Sequence, residues 1–408
     1  MGFSPEHTRR LVVMAVDRQG RNALEVGSGS RASWSGRRVR KDTHESCVAV
    51  RHEVASFAIQ TTSYVGPDGT IAPDLPAFAS DPEQLITMYR AMVLTRTFDA
   101  KAVALQRTGR LGTFASSLGQ EAIAVGIGTA MAADDVLVPS FREQGAMFLR
   151  GVVPNELLLY WGGDERGNDF AGQRLDFPIC VPIGTQAAHA VGVALAMQLN
   201  HEPQVAVCSF GDGATSRGDV YESMNFAGVR QLPVVFVINN NQWAISVPRS
   251  AQSAAATLAQ KAIGAGIQGE QVDGNDVIAV RAVLTEAIER ARSGGGPSVV
   301  EALTYRLTDH TTADDASRYR SDAEVSERWK ADPIARLRDF LVQQGHWGRA
   351  REEQLLDECA AEIESAVHDY EGYRPMPASS MFDHLYATLP HAYEAQRVDL
   401  REREQLDG

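Results

Sequence analysis

Hydrophobic positions along the chain change period several times, and those changes mark its elements. Leu85, Met88, Tyr89, Met92 and Val93 recur at helical spacing, with Asp81 placed to cap and Pro82 in the first turn. A helix is therefore expected from Pro82 to about Gln106. Farther on, short apolar runs alternate with amphipathic stretches. The runs are Val136-Leu137-Val138 and residues 205–210, 234–238, 267–272 and 299–307, and helices are expected over about 186–198, 220–228 and 276–291. Runs of this length, alternating with helices, indicate parallel strands covered on both faces. The expected fold is α/β, a doubly wound and mostly parallel sheet. Residues 53–80 are turn-rich (Gly66-Pro67-Asp68-Gly69, then Pro73 and Pro76) and are expected as an N-terminal arm rather than a core element. The domain plan is then an extension over 1–52, the arm, an α/β domain over 81–332 and a helical C-terminal region over 333–408.

Composition narrows the class. With 408 residues and 44% hydrophobic side chains, the chain can bury one large core or two ordinary ones. A net charge of −13 argues against nucleic acid as a partner. No run of about 18 apolar residues is present to span a membrane. The charge is uneven: from Met1 to Arg51 nine Arg and one Lys face five acidic residues, a net +5 that leaves −18 on the remainder. This basic stretch, with Gly27-Ser28-Gly29-Ser30, is expected to be a poorly ordered extension, or sequence upstream of the true start. Were it a transit peptide, the location would be the mitochondrial matrix. Its five acidic residues count against that, and a bacterial cytoplasm is expected instead. Cys47, Cys180, Cys208 and Cys359 lack the paired spacing of a zinc or redox centre and read as free thiols.

Chemistry concentrates where two apolar runs end. The first ends in Gly211-Asp212-Gly213 and the second in Asn239-Asn240-Asn241, with Asn240 and Asn241 lying 29 and 30 positions after Gly211. That interval holds one crossover helix and the next strand, so the two loops can be neighbours at the carboxyl edge of a sheet, where ligands bind in open α/β folds. A carboxylate beside an amide oxygen makes a hard, oxygen-only site suited to Mg²⁺, which shares its shell with phosphate oxygens. The flanking glycines let backbone N–H groups approach a phosphate. A Gly-Asp-Gly alone is usually a tight turn; its company here is what gives it meaning.

Gly211-Asp212-Gly213-Ala214-Thr215-Ser216-Arg217-Gly218-Asp219, followed by Asn240-Asn241-Gln242-Trp243-Ala244-Ile245-Ser246, resembles the thiamine diphosphate motif of 2-oxo acid dehydrogenase alpha subunits. The resemblance implies a thiamine diphosphate-binding type of α/β fold, with Mg²⁺ held by the side chains of Asp212 and Asn241 and the backbone carbonyl of Trp243. Gly211, Gly213, Ala214, Ala244 and Ile245 would line the cofactor. Gly119-Gln120-Glu121-Ala122 resembles the substrate-side entrance. Phe141-Arg142-Glu143 resembles the phosphate clamp, with Arg142 on the diphosphate, as a bidentate guanidinium suits, and Phe141 where the family usually has Tyr. Val181 and Ile183, in the run up to Gly184-Thr185-Gln186, would lie under the aminopyrimidine, Ile183 as the wedge that bends the cofactor. Residues 305–320 resemble the active-site loop, so His310 would stand near the reacting carbon and Arg306 would support the phosphate. A lone histidine is more often structural, but a polar loop after a buried strand is where chemistry is expected.

The implied activity is oxidative decarboxylation of a 2-oxo acid, with acyl transfer to the lipoyl group of a dihydrolipoyl acyltransferase. The implied partner is a beta subunit that supplies the glutamate for the pyrimidine, giving two alpha and two beta chains. Pyruvate is the favoured substrate, and the branched-chain 3-methyl-2-oxobutanoate the alternative. Acetoin is a weaker third, and Thr113-Phe114 leaves the pocket size open. A non-catalytic binder of Mg-diphosphate would have no use for His310. A dinucleotide-dependent reductase lacks its Gly-x-Gly-x-x-Gly.

Overall fold

Backbone hydrogen bonds join the apolar runs into one six-stranded sheet in a computed structural model that describes residues 52–407. From Phe57 onward these residues form one compact unit. The expectations for residues 1–51, and for Cys47 among them, lie outside the described residues. The strands are β1 (Thr61–Thr62), β2 (Val136–Val138), β3 (Ala206–Gly211), β4 (Val234–Asn240), β5 (Trp243–Ala244), β6 (Val247–Pro248), β7 (Gln268–Asp273) and β8 (Ser298–Leu303). The sheet order is β1-β7-β8-β4-β3-β2 and every pairing in it is parallel, while β5 and β6 form a separate antiparallel pair.

Strand alternation explains why helices cover both faces. Val207, Val235 and Val237 point into one core with the helices Pro82–Arg107 and Val277–Arg292. Cys208, Phe210, Phe236 and Ile238 point into another with the helices Thr185–Asn200 and Gly218–Arg230. Side chains of successive strand residues face opposite ways, so a strand apolar at every position must be buried on both sides. The expected doubly wound sheet and the helical C-terminal region are both present, the latter beginning with Pro333–Gln343 and Arg349–Gly372.

Local chemistry sets the boundaries. The first helix starts where expected, with the Asp81 carboxylate accepting from Glu83 N at 3.1 Å. The run over 299–307 stops being strand at Leu303, after which Thr304 N donates to Asn240 O (2.9 Å) and Arg306 N to Asn241 O (3.2 Å). The helix Glu121–Ala130 was not anticipated: it is buried almost all round and so carries no amphipathic period to read. The arm also differs from expectation. Thr61 and Thr62 add an edge strand to the sheet, and Val65 is buried. The cause is Asp276: its Oδ1 caps the helix Val277–Arg292 through Ile278 N and Ala279 N, while its Oδ2 accepts from Tyr64 N (2.6 Å) and Val65 N (2.7 Å). Among the described residues Cys180, Cys208 and Cys359 are free, and no helix is long and apolar enough to cross a membrane.

Asp276→Ala removes the cap and strands two amides of the arm, so a loss of about 2 kcal/mol or more is expected. Urea denaturation of the full chain measures it; an unmoved midpoint would show that the arm is held elsewhere.

Candidate active site

Four adjacent strands deliver their carboxyl ends to one place. After β2 come Ser140, Phe141 and Arg142; after β3, Asp212, Gly213 and Ala214; after β4, Asn241, Trp243, Ala244 and Ile245; after β8, His310. With Gly211, Asn239 and the start of the helix Thr185–Asn200, they line a cavity of about 220 Å³. Register makes this possible: Gly211 pairs with Asn239, so the chain leaves β3 and β4 side by side.

One half of the cavity lacks positive charge. Asp212 is 2% exposed and makes no ion pair among the described residues; burial raises its carboxyl above the ordinary carboxylate range. Gln252 Nε2 donates to its Oδ2 at 2.6 Å. Asn241 donates from Nδ2 to Gln120 Oε1 (2.9 Å), which leaves Oδ1, with Trp243 N at 3.2 Å, as the amide's accepting end. The loop that carries them is strained: Gln242 (φ 72°) and the β-branched Ile245 (φ 54°) occupy the left-handed region. Gly213 is obligatory for packing, because a Cβ there would meet Ala244 Cβ at 2.7 Å.

The other half has buried positive charge without an ion pair among the described residues. Arg142 and Arg306 are 5% and 0% exposed, and neither is ion-paired among the described residues. Burial, then repulsion from Arg306, brings the Arg142 guanidinium down to about 10. Arg142 Nη2 donates to His310 O (2.7 Å) and lies 3.2 Å from His310 Nδ1; Arg306 Nη1 lies 3.4 Å from the same nitrogen. Burial, with repulsion from Arg142 and Arg306, lowers His310 from 6.5 to about 4, so the ring is neutral at pH 7. The edge of Phe141 meets the His310 ring, with centroids 6.2 Å apart.

Most of the expected site residues therefore converge, and two do not. Val181 is 47% exposed and does not line the cavity. Arg306, expected on a phosphate, lies behind the wall: it donates to Trp243 O (3.2 Å), Ile245 O (2.8 Å) and Tyr319 Oη (2.7 Å). The Trp243 carbonyl, expected to face a metal, thus already accepts one hydrogen bond; its second lone pair is open. Thr113-Phe114, expected to bear on pocket size, does not line the cavity either: Phe114 is fully buried against Phe98 and Trp161.

Several supporting residues were not legible as such. Glu143 accepts from Ser140 N, Ser140 Oγ and Ser209 Oγ, fixing the clamp to β3. Asp99 accepts from Ser117 N at 2.7 Å and from Ser116 Oγ, whose residue's carbonyl receives Arg142 Nη1. The available signals were Glu143's place in the Phe141-Arg142-Glu143 motif, which did not give its role, and Asp99 as a carboxylate among the buried positions of its helix; Gln252 gave none.

The arrangement fits a magnesium diphosphate. An unpaired buried carboxylate needs a cation, and unpaired buried guanidiniums need an anion. The side-chain oxygens of Asn239 and Gln186, both on the cavity wall, have no partner. No group of three His, Cys, Asp or Glu placed to hold a metal ion occurs among the described residues. A cation held by one carboxylate and amide oxygens must therefore complete its shell from the ligand, as Mg²⁺ does with phosphates.

Fold and cavity together define an α/β protein with its ligand site at the carboxyl edge of a parallel sheet. Comparison with known proteins narrows the class. The dehydrogenase E1 component family matches residues 89–378. The 3-methyl-2-oxobutanoate dehydrogenase subunit alpha of Mycobacterium tuberculosis is 44% identical over 85% of this chain and 95% of its own. The pyruvate dehydrogenase E1 component subunit alpha of Mycoplasma genitalium is 39% identical over 78% and 88%, and that of Staphylococcus aureus 38% over 79% and 87%. The chain belongs to the dehydrogenase E1 component family, as the alpha subunit of a 2-oxo acid dehydrogenase.

His310 generates a pH prediction. Its folded value lies below its unfolded one, so the unfolded chain takes up the proton first as pH falls. Stability tied to this histidine is complete above about pH 6.5 and is lost as pH drops toward 4. The decline in urea midpoint from pH 7 to pH 4.5 should be smaller in His310→Asn than in the wild-type chain; equal declines would place His310 in water.

Proposed function

We propose that this chain, joined to a beta subunit, decarboxylates a 2-oxo acid in the cavity at the ends of β2, β3, β4 and β8 and passes the acyl group to the lipoyl group of a dihydrolipoyl acyltransferase. The observation that carries this is a buried carboxylate and a buried guanidinium, Asp212 on one side and Arg142 on the other, lining a single cavity with no ion pair to either among the described residues. In this reading Asp212 and Asn241 hold Mg²⁺ through side-chain oxygens, the Trp243 carbonyl offers its remaining lone pair, and Arg142 takes the diphosphate. Gly211, Gly213, Ala214, Ala244 and Ile245 form the close wall. Thiamine diphosphate, when bound, supplies the carbanion that attacks the 2-keto carbon and the electron sink after CO₂ leaves.

This chain's own residues place a proton donor beside it. Both guanidiniums approach His310 Nδ1, and a guanidinium has no lone pair to offer, so Nδ1 accepts and the ring proton sits on Nε2. The Nε2–H is then a donor held by a neutral ring, suited to a substrate carbonyl oxygen or to the sulfur of the acyl acceptor. Asp314 Oδ2 accepts from His310 N (2.8 Å) and from Tyr319 Oη, and thereby keeps the loop on the cavity. Ile183, lining the cavity at 46% exposure, would give the cofactor an apolar contact.

What is left uncovered supports a beta subunit. Val181, Ile183, Ile245 and Val247 are each 43–56% exposed, and all lie in or next to the segments that line the cavity. An apolar rim of this kind calls for a covering surface. The helix Thr185–Asn200 adds a face of small exposed residues, Ala188, Gly192 and Ala196, where another backbone can come close. The sequence favours pyruvate as substrate. A second reading, the branched-chain acid, is favoured by the Mycobacterium tuberculosis relative, which matches at higher identity and over more of its length than the pyruvate dehydrogenase relatives.

With the beta subunit present, Asp212→Ala should abolish Mg²⁺-dependent thiamine diphosphate binding, and Arg142→Met should weaken it about 10–100-fold, the effect of one lost charge-assisted hydrogen bond. Titration calorimetry reads both, and wild-type affinity in Asp212→Ala sinks the cation assignment. The chain alone should show no turnover; full decarboxylase activity without a beta subunit would refute the shared site. The ratio of kcat/KM for pyruvate and 3-methyl-2-oxobutanoate on the assembled enzyme decides the substrate.

A further inference from the structure

We infer that Glu301, in the middle of β8, is a positioning residue that sets both protein sides of the cation site; this rests on the magnesium diphosphate reading above. Glu301 is 1% exposed and has no ion-pair partner among the described residues. Four N–H donors meet its charge instead. Oε1 accepts from Asn240 Nδ2 at 2.6 Å, and Oε2 from Leu258 N (2.8 Å), Ala259 N (3.1 Å) and Gln271 Nε2 (3.2 Å). A carboxylate placed at the centre of a parallel sheet, where an apolar residue would be the stable choice, calls for a reason beyond packing.

Its contacts supply one. Along β4 the side chains alternate, so Asn239 and Asn241 line the cavity while Asn240 does not, and Asn240 is bonded to Glu301. With Nδ2 engaged there, the Asn240 amide has its orientation fixed, and Oδ1 accepts from Gln242 N (3.2 Å) and Gln242 Nε2 (2.8 Å). Those bonds hold Gln242 at φ 72°, the turn from which the Trp243 backbone leaves. On the other side, Leu258 and Ala259 end the segment that begins with the short helix Arg249–Gln252, and Gln252 is the residue that holds Asp212 Oδ2. One carboxylate thus anchors the backbone that presents Asn241 and the segment that orients Asp212.

The test uses the full chain assembled with its beta subunit, and reads the Mg²⁺ dissociation constant at saturating thiamine diphosphate by calorimetry. Glu301→Gln keeps the shape but sets an amide N–H₂ against Asn240 Nδ2. Mg²⁺ affinity is expected to fall about 10–100-fold, as for supporting partners of metal ligands generally. The apparent KM for thiamine diphosphate at saturating Mg²⁺ should stay near wild type, a split that general loosening of the fold would not produce. Asn240→Asp alone opposes two carboxylates and should also weaken Mg²⁺. Combining Glu301→Gln with Asn240→Asp exchanges donor and acceptor across the same contact, and should restore affinity to within about threefold of wild type. Wild-type Mg²⁺ affinity in Glu301→Gln overturns the inference, as does a combined variant no better than Asn240→Asp. That second comparison decides the matter if Glu301→Gln does not fold. A wild-type enzyme that binds no Mg²⁺ with thiamine diphosphate overturns the functional reading itself, a result distinct from these.

Discussion

Opposite charges left without partners at the ends of neighbouring strands are the constraint on which the rest of this structure depends. Asp212 leaves β3 and Arg142 leaves β2, both are buried, and neither makes an ion pair among the described residues. Folding alone would not favour such an arrangement, because a buried charge without a counter-ion is destabilising. It becomes favourable when a ligand carrying both signs enters. A metal-bridged diphosphate is such a ligand, and the shared direction of β2, β3, β4 and β8 is what brings its contacts together.

Holding those charges apart requires rigid surroundings, and the structure supplies them with hydrogen bonds rather than ion pairs. Glu143 ties the clamp to Ser209 of β3, Asp99 ties residues 116–117 behind Arg142, and Glu301 ties β8 to the last residue of β4. Each of these carboxylates is nearly inaccessible, and each is met by backbone or side-chain donors. Arg306 braces the same loop from behind through the Trp243 and Ile245 carbonyls. The consequence is a neutral His310, its Nδ1 crowded by two cations and its remaining N–H available for chemistry.

Much of this was legible in the residues. The apolar runs that became β2, β3, β4 and β8 were visible because a doubly covered strand is apolar on both faces, whereas β7 is mostly polar, with only Val272 buried. The Gly211-Asp212-Gly213 turn and the Asn240-Asn241 pair were visible because the chemistry needs those residue types at a crossover's spacing. Less was visible where the pattern is silent. The helix Glu121–Ala130 carries no amphipathic period, and the two-residue strand β1 depends on a carboxylate more than 200 positions away.

By itself, then, the sequence determined the parallel α/β plan and the two strand ends that carry metal-competent groups, since these follow from local periodicity, residue type and spacing; the loop containing His310 was marked by its resemblance to the family's active-site loop. Only the tertiary structure decided that Arg306 stands behind the wall, that Val181 lies off the cavity, that Phe114 belongs to the core, and that Gln252, Glu143 and Glu301 orient the charged groups. Such roles depend on which distant side chain happens to face a given oxygen, and hydrogen-bond partners far apart in the chain leave no periodic trace along it.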